Sequence, residues 1–457
     1  MNSFLFSTPE MTRVFSPAEQ LRAMVRFEWA LSCALETHGR AEAGSGAVLE
    51  RLLSADFVDM DALASEAKEA GNVAIPLIRQ LTAAVMESCE AAARSVHLGA
   101  TSQDVLDTAL VLQMREAVTL LDSALTRLDA GLLHQVTRHR DTVMQGRTWL
   151  QPGPPTTLGF KLAGTLAALR RVRGRICAEA GRALVLQFGG AVGTLASLGA
   201  EGGPISADLA RMLDLAESDL PWHAQRDRPV AMVQLLAILT GTLAKFGRDI
   251  ALLMQAEVGE ASESGGGGRG GSSTMPHKHN PVACAALIAI HARMPGLAGT
   301  MLYAMQQEHE RGLGSWQAEW DTVPEAFRLA GASVAYAIDL AEGLLVDATR
   351  MKANMEATLG LPLAEAVSVA FAPSMGRMAA HDLLRRATDS AIVENRRLSE
   401  VLKLMPEVKA HLSDAEIDAL LDARNYLGSA QRFIAQVVGQ VTQHLAVEDA
   451  ADGETDG

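Results

Sequence analysis

The sequence predicts an all-α fold in three domains, with five long helices in a central bundle. Hydrophobic residues make up 48% of the 457 residues, which is enough to fill large cores. Ala and Leu, which favour helices, dominate, whereas the aromatic residues that favour sheets make up only 4%. Apolar residues also recur at helical spacing over several long segments.

Residues 1–104 are expected to form an N-terminal domain of short helices. Ser16 is placed to cap a helix, with Pro17 at the first helical position and Glu19 three residues after the cap. Glycines at 44, 46 and 71 interrupt the helical pattern, so the helices of this domain should be short.

Residues 105–350 are expected to form the central bundle. The first long helix should begin near Asp104, and its apolar residues recur every 3.5 positions, a spacing typical of helices packed side by side: Met114, Val118, Leu121, Leu125, Leu128 and Leu132. The next begins after Pro155 and carries Leu158, Leu162, Leu166, Leu169, Val172 and Ile176. The others are predicted over 229–260, after Pro281 with a kink at Pro295, and over 321–348. Such a bundle would be roughly 40–50 Å long.

Residues 351–457 are expected to form a C-terminal domain of shorter helices. Ser413 and Glu416 have the spacing of a capping box. The last ten residues, 448–457, are acidic and lack an apolar run, so this tail is predicted to be disordered.

Charge and cysteine content limit the partners and the compartment. With 40 basic and 54 acidic residues, the net charge of −14 argues against nucleic acid or an anionic membrane as a partner. The most apolar stretch, 229–244, is about four residues short of the ~20 that span a bilayer. The four cysteines are far apart, and residues 1–13 do not resemble a signal peptide, so reduced thiols and a cytoplasmic location are expected.

The segment 264–281, SGGGGRGGSSTMPHKHNP, is the richest in potential chemistry. Its glycine run alone is typical of a flexible linker, and it lacks the Gly-Lys-Ser/Thr ending of a nucleotide phosphate loop. The second half places hydroxyls, imidazoles, a lysine and an amide within ten residues. Asn280 is expected to cap the helix that follows, with Pro281 at its first position, which would leave a positive helix terminus for an anion.

Two further polar segments precede expected helix starts. In the first, residues 97–104, Thr101 and Asp104 have capping-box spacing, which predicts either a simple cap or a carboxylate site that also uses Ser102. The second, residues 146–152, offers a cation, a hydroxyl, an indole N–H and an amide. Three such termini meeting in space would suit a small polycarboxylate.

Other kinds of site are not indicated. His309-Glu310 has no second histidine at metalloprotease spacing, and His134 and His139 would not share a helix face. No G-x-S-x-G elbow occurs, which argues against a serine hydrolase.

The three segments, in this order, resemble the fumarase/aspartase superfamily, whose signature loop is similar to GSSTMPHKHNP at 271–281. Within it, the chain looks most like the branch that lactonizes carboxymuconate. The residues behind this likeness are HLGATSQDVLDTAL from His97, GRTWLQ from Gly146, LQFGGAVGTLASLG from Leu186, PWHAQRDR from Pro221, KFGRDIALLMQ from Lys245 and QEHERGLGSWQAEW from Gln307. The likeness covers essentially all of the chain except the acidic tail.

Trp149 distinguishes this branch from its siblings. Fumarases, adenylosuccinate lyases and argininosuccinate lyases have a histidine there, whereas an indole N–H can only donate a hydrogen bond. The chain departs from the branch at His279, where arginine is usual.

The resemblance implies reversible cycloisomerization of 3-carboxy-cis,cis-muconate to a lactone in protocatechuate (β-ketoadipate) breakdown, without a metal or other cofactor. It implies that Ser272 transfers the proton, with Ser273 as the alternative, and that Lys278 assists Ser272 and, with Asn280, grips carboxylates. Thr101, Ser102, Gln151, Gln225 and Arg311 are expected to contact the substrate, and Trp149 to shape the pocket. Without the resemblance, Arg311 could equally be a surface ion-pair residue.

The resemblance also implies a homotetramer with composite sites, each built from three chains. Three alternatives remain: another lyase of this fold acting on a succinyl-type polycarboxylate, a non-catalytic structural relative, and a plain helical scaffold. The intact Ser-Lys-Asn loop argues against the second.

Overall fold

The computed structural model describes residues 2–264, 270–271, 274–275 and 277–440. The acidic tail at 448–457, predicted to be disordered, lies outside these residues. In the described part, helices dominate and strands are few, so the all-α prediction is confirmed.

The helices are as follows, in chain order: α1 Pro9–Val14, α2 Pro17–Thr37, α3 Ser45–Glu50, α4 Met60–Ala70, α5 Ala74–Ser88, α6 Glu90–Ala93, α7 Ser102–Arg138, α8 Leu158–Ala183, α9 Gly202–Met212, α10 Asp227–Leu253, α11 Val282–Ala304, α12 Ser315–Glu342, α13 Ala348–Glu356, α14 Ala364–Met375, α15 Arg377–Glu394, α16 Leu398–Leu402, α17 Pro406–Lys409 and α18 Asp414–Leu420. Residues 430–440 are also helical. The strands are β1 Val143–Thr148, β2 Gln151–Thr157, β3 Ala261–Ser262 and β4 Leu345–Val346, which pair antiparallel as β1–β2 and β3–β4.

The predicted helix signals are largely confirmed. Ser16 caps α2 by accepting from the Glu19 N–H, and Ser413 and Glu416 form the capping box of α18. Both predicted apolar stripes, on α7 and α8, are buried along their whole length. Two of the long helices differ in their bounds, since α10 ends at Leu253 and α12 runs from Ser315 to Glu342. Pro295 does lie inside α11.

The chain divides into two compact units. The first comprises Met1–Leu125, Val172–Gly241 and Ala289–Ala335, and the second Thr126–Arg171, Thr242–Ile288 and Tyr336–Gly457. The core of the first unit is built on one face of α2, including Met24, Phe27 and Leu31, with residues of α5, α7 and α9. A cluster in the second unit joins α14, α15, α16 and α18 around residues such as Phe371 and Leu402. The division into domains at 104 and 350 stays a prediction.

Two helices are long and apolar enough to cross a bilayer, judged by length and composition alone. They are Asp227–Leu253 and Val282–Ala304, and their most apolar windows are 56% and 33% buried within the chain. A bent pair, Ala348–Glu356 with Leu361–Met375, would raise the number to three among the described residues if it were one span. Asp227–Leu253 and Val282–Ala304 both lie among the five long helices expected in the bundle.

Candidate active site

Arg311 reaches the first turn of α7, which brings together three of the predicted site residues. Its Nη1 donates to Thr101 Oγ1 at 2.7 Å, its Nη2 to Ser102 Oγ at 3.4 Å, and its Nε to Gln103 Oε1 at 3.3 Å. Three consecutive side chains at the start of one helix therefore accept hydrogen bonds from the guanidinium. The contact joins residues about 210 positions apart, and their roles in substrate binding stay predictions.

The charge of Arg311 is not compensated by these partners, because all three are neutral. A guanidinium has about five N–H donors, of which three are used here, so about two remain for a ligand. Within the described residues, no carboxylate forms an ion pair with Arg311, and no group accepts from the backbone N–H of Ser102 or Gln103. This corner of the first unit can therefore receive an anion.

Asp104 anchors the loop that leads into α7. Its buried carboxylate accepts from the N–H groups of Thr101 and Gly190 at 2.9 Å, from Gly189 at 3.0 Å, and contacts His223 Nε2 at 2.6 Å. Only half of the predicted capping box forms. The Asp104 carboxylate accepts from the Thr101 N–H, but the Asp104 N–H donates to the Thr101 carbonyl, and the Thr101 hydroxyl accepts from Arg311 instead. The helix start is thus a rigid platform with its hydroxyls turned to Arg311.

The two glycines that meet Asp104 are required by close packing. A Cβ at Gly189 would lie 2.6 Å from Pro221 Cβ, and one at Gly190, whose φ is +69°, would lie 2.8 Å from the Gly99 carbonyl oxygen. A side chain at either position would push the glycine loop away from the α7 start. This gives a physical reason for the Gly-Gly pair in LQFGG.

Arg226 forms a buried cluster that sequence reasoning missed. It pairs with Asp107 at 2.7 Å and with Glu319 at 2.7 Å, while Trp316 Nε1 donates to Asp107 at 2.9 Å. Burial alone would lower the pKa of Arg226, but Asp107 and Glu319 outweigh it and raise that pKa above its usual range. One available signal was the i, i+3 pair of Asp104 and Asp107 within an otherwise apolar helix face.

Gln225 is exposed, although its neighbours His223 and Arg226 are buried. Its backbone N–H donates to the Trp222 carbonyl at 3.2 Å, which places it in the turn before α10. No hydrogen bond joins its side chain to another predicted site residue in the described part of the first unit.

The second polar segment is a β-hairpin, which was not predicted, and the expected helix follows it as α8. Strands β1 and β2 pair Thr148 with Gln151, and α8 begins only at Leu158. Trp149 and Leu150 form the two-residue turn with φ values of +53° and +64°. Prolines at 152, 154 and 155 lack the N–H that a helix interior needs, and such residues are tolerated in an edge strand.

The turn of this hairpin is highly exposed. Trp149 is 98% exposed, and Gln151 is exposed as well. Left-handed backbone at two large non-glycine residues costs about 1–3 kcal/mol for each, and such strain concentrates at functional sites. The proposed pocket-shaping role of Trp149 therefore needs a surface that the second unit does not itself supply.

Arg147 is held inside the second unit. Its guanidinium makes two bonds to the buried Glu260 carboxylate, at 2.9 and 2.6 Å, and Asn354 donates to the same carboxylate at 2.8 Å. Arg147 therefore stabilises the hairpin through Glu260 and does not serve as a cation for a ligand.

The signature loop is described only in part. Ser272 and Ser273, the expected proton-transfer residue and its alternative, lie outside the described residues. Lys278 is exposed, and its N–H donates to the Met275 carbonyl at 3.0 Å. The ends of the loop meet where the Asn280 N–H donates to the Gly270 carbonyl at 2.8 Å and His279 pairs with Gly271. Gly270 has a φ of +71° and no room for a Cβ beside Asn280.

The start of α11 differs from the expectation. The Ala285 N–H donates to the Pro281 carbonyl, so the helix begins one residue later than predicted. Its positive terminus is occupied by Glu263, whose carboxylate accepts from Ala283 and Cys284 at 3.0 and 2.9 Å. The predicted anion site at this terminus is therefore wrong, because a side chain of the same unit fills it. Burial and the Glu263 carboxylate also raise the pKa of the Cys284 thiol above its usual range.

No group of three or more His, Cys, Asp or Glu side chains is placed to hold a metal ion in the described part of the chain.

Comparisons with known proteins agree with this architecture. A profile described as "Lyase" matches residues 10–296, and one described as "Adenylosuccinate lyase C-terminus" matches residues 360–437. A 3-carboxy-cis,cis-muconate cycloisomerase of Pseudomonas aeruginosa is 49% identical over 435 residues, which is 95% of each chain. The crystal structure of 3-carboxy-cis,cis-muconate lactonizing enzyme from Pseudomonas putida superimposes with a TM-score of 0.92 at 45% identity, covering 97% of this chain and 99% of that one. The β-carboxy-cis,cis-muconate cycloisomerase structure from Acinetobacter calcoaceticus gives 0.91 at 39% identity, covering 96% and 99%.

These matches span nearly the whole chain, and the resemblance found in the sequence is confirmed. The chain belongs to the lyase family of the fumarase/aspartase superfamily.

Proposed function

We propose that this protein is a cycloisomerase that converts 3-carboxy-cis,cis-muconate to a carboxymuconolactone in protocatechuate breakdown. The proposal is supported by the relatives of this activity, which are 49% and 45% identical over nearly the whole chain. The relevant observation in the structure is Arg311, a cation surrounded by neutral partners at the start of α7. A tricarboxylate needs such uncompensated cations, since the chain as a whole carries a charge of −14.

The reaction consists of an addition and a protonation. One carboxylate oxygen of the trianion bonds to a carbon of a C=C double bond, and the electron pair of that bond moves toward the neighbouring carboxyl group as an aci-carboxylate. The adjacent carbon then takes one proton, so the lactone leaves as a dianion. Catalysis requires stabilisation of the developing charge and one placed proton donor.

The roles of the residues follow from these requirements. Ser272 supplies the proton, with Lys278 lowering the cost of ionising its hydroxyl. Lys278 and Asn280 face the carboxyl group on which negative charge develops. Thr101, Ser102 and Arg311 hold a second carboxylate, and Gln151 and Gln225 are further contacts. Trp149 closes the apolar side of the ring-forming carbons.

A composite site in a homotetramer is part of the proposal. Helix α7 has 37 residues, which corresponds to about 55 Å of helix axis. The first polar segment precedes this helix and the second follows it, and the resemblance implies that one site takes them from different chains. Copies packed antiparallel would place the first segment of one beside the second segment of another.

Two surfaces support an assembly. Only 33% of the most apolar window of α11 is buried within the chain, and its exposed side carries many small residues that allow close helix contact, namely Ala285, Ala289, Ala292, Gly296 and Gly299. The exposed Trp149 is a second apolar surface that a neighbouring chain would cover. The cytoplasmic location stays a prediction.

A spectrophotometric assay tests the function. Purified protein is mixed with 3-carboxy-cis,cis-muconate, and loss of the diene absorbance is followed while NMR identifies the lactone. We expect turnover with this substrate and none with succinyl compounds that release fumarate. Fumarate formation from a succinyl compound, with the muconate untouched, would instead identify another lyase of the family.

A further inference from the structure

We propose that Gln103 is a positioning residue that sets the direction of the Arg311 guanidinium, and so the orientation in which the carboxylate of the substrate is held. This inference rests on the proposed function of Arg311 as a substrate contact. Gln103 is fully buried and follows Ser102 in the chain. Its side-chain oxygen accepts from Arg311, which is its contact with the predicted carboxylate site among the described residues.

The orientation of the Gln103 amide is determined by its surroundings. Its Nε2 donates to the His223 carbonyl oxygen at 2.9 Å and to Asp107 Oδ2 at 3.2 Å. Both partners can only accept, so the NH₂ group must face them and the carbonyl oxygen must face away. That oxygen is the group that accepts from Arg311 Nε at 3.3 Å.

Both acceptors are themselves held rigidly. Asp107 is clamped by Arg226 through two bonds, at 2.7 and 3.0 Å, and by Trp316 at 2.9 Å. The backbone of His223 is fixed because its ring is bound to Asp104, which also holds Thr101. The buried Arg226 cluster therefore acts on Arg311 through one amide.

The contact to Nε differs in kind from the two hydroxyl contacts. Thr101 and Ser102 accept through hydroxyls that rotate freely, so they tolerate several directions of the guanidinium. Nε carries a single N–H in the guanidinium plane, so an acceptor fixed in space opposite it fixes the direction of that N–H, and the Thr101 contact at 2.7 Å then sets the plane. The two N–H groups left for a ligand are then aimed by Gln103.

The test uses a matched pair of buried glutamines on α7. Gln103→Met removes the amide but keeps a similar volume. Gln113→Met is the control, because Gln113 is also buried and donates to the Val14 carbonyl at 2.7 Å, about 15 Å further along the helix. Gln103→Met loses three side-chain hydrogen bonds and Gln113→Met loses one, so the thermal midpoint should fall in both variants and further in Gln103→Met.

We expect Gln103→Met to lower kcat/KM about 10- to 100-fold, the scale of a misdirected binding group, with more of the change in KM than in kcat. Gln113→Met should leave kcat/KM unchanged. The deciding measurement is a double-mutant cycle. In an Arg311→Ala background, Gln103→Met should cause no further loss, because the group that it positions is gone.

The proposal would be overturned if Gln103→Met lowered kcat/KM by the same factor with and without Arg311. It would also be overturned if Gln113→Met lowered kcat/KM as much as Gln103→Met does. If Gln103→Met does not fold, Gln103→Asn replaces it in the same cycle, since it keeps the amide but shortens the side chain by about 1.5 Å. The same double-mutant cycle can be measured without catalysis, by using calorimetry to determine the affinity of each variant for tricarballylate, a tricarboxylate that does not react. If the wild-type protein binds tricarballylate but does not turn over the muconate, the proposed function is contradicted. The role of Gln103 can then still be tested by the binding cycle.

Discussion

Arg226 and Arg311 are arginines of the same unit in opposite electrostatic surroundings. Arg226 is buried between two carboxylates, so its charge is more than neutralised and it organises structure. Arg311 is half-buried among two hydroxyls and an amide oxygen, so its charge remains available. The resemblance indicated Arg311 as a site residue but said nothing of Arg226, and the partners of each side chain give the physical reason for their different roles.

Ser272→Ala tests the proton-transfer role. We expect kcat to fall by roughly 10²–10⁴, the usual effect of removing a general acid–base group, while the thermal midpoint stays within the error of the wild type. Ser273→Ala is the matched control and should retain most activity. The reverse pattern, with Ser273→Ala inactive and Ser272→Ala active, would transfer the role to Ser273.

His97 should make stability depend on pH. Burial alone would lower its pKa, but Glu28, whose carboxylate lies 2.6 Å from Nδ1, and Asp104 outweigh burial and hold the pKa above 6.5. A raised pKa in the folded state means that the stabilisation is present below about pH 6.5 and is lost as the pH rises through the folded value.

The measurement is the free energy of unfolding in denaturant at a series of pH values from 6 to 9. Wild-type stability should decline over the lower part of this range, and both His97→Gln and Glu28→Gln should flatten the decline. An unchanged pH dependence in both variants would exclude this pair as its source.

The turn of the β1–β2 hairpin is strained and exposed, and no contact among the described residues of its own chain accounts for this. Its turn holds Trp149 and Leu150 in left-handed conformations and exposes both, while its base is fixed by the Arg147–Glu260 pair. A rigid base with a strained apolar tip is the arrangement expected of an element that inserts into a site.

Tryptophan fluorescence tests whether the tip is covered. The chain has five tryptophans, so the emission of Trp149 is obtained as the difference between the wild type and Trp149→Phe. In the assembled protein we expect this difference spectrum to be blue-shifted and poorly quenched by acrylamide, although the residue is 98% exposed in one chain. Dilution to separated subunits should restore quenching. Strong quenching in the assembled protein would show that nothing covers the tip.

For the whole molecule, the length of α7 and the exposed side of α11 favour an assembly of several copies. The expected mass by light scattering is about 194 kDa, which is four times 48.5 kDa. In the proposed composite site, the first and second polar segments come from different chains.

Subunit mixing tests this arrangement. Thr101→Ala and Lys278→Ala proteins, each impaired alone, are mixed under conditions of subunit exchange. Some activity should return, since some sites then receive both of their intact segments from different chains. Unmixed samples taken through the same exchange are the controls. A fully active monomer, or no recovery after verified exchange, would contradict the composite site.

Local features of the fold were readable from the sequence because they depend on neighbouring residues. The 3.5-residue stripe on α7, the cap at Ser16 and the capping box at Ser413 involve positions three or four apart, and all three are confirmed. The family was readable as well, because its signature loop is one continuous segment. Thr101 and Ser102 were predicted as a carboxylate site from the helix start and Arg311 as a contact through the resemblance, but nothing in their spacing indicated that they touch.

The tertiary structure decided the features that depend on distant partners. Glu263 fills the start of α11 from about 20 residues away, Asp107 meets Arg226 across 119 positions, and Arg311 meets Gln103 across 208. Helix periodicity carries no information about such pairs, because it specifies which face of a helix is buried but not what lies opposite. The hairpin was missed for the same reason, since its strands are stabilised by each other and by Glu260 rather than by a pattern within either strand.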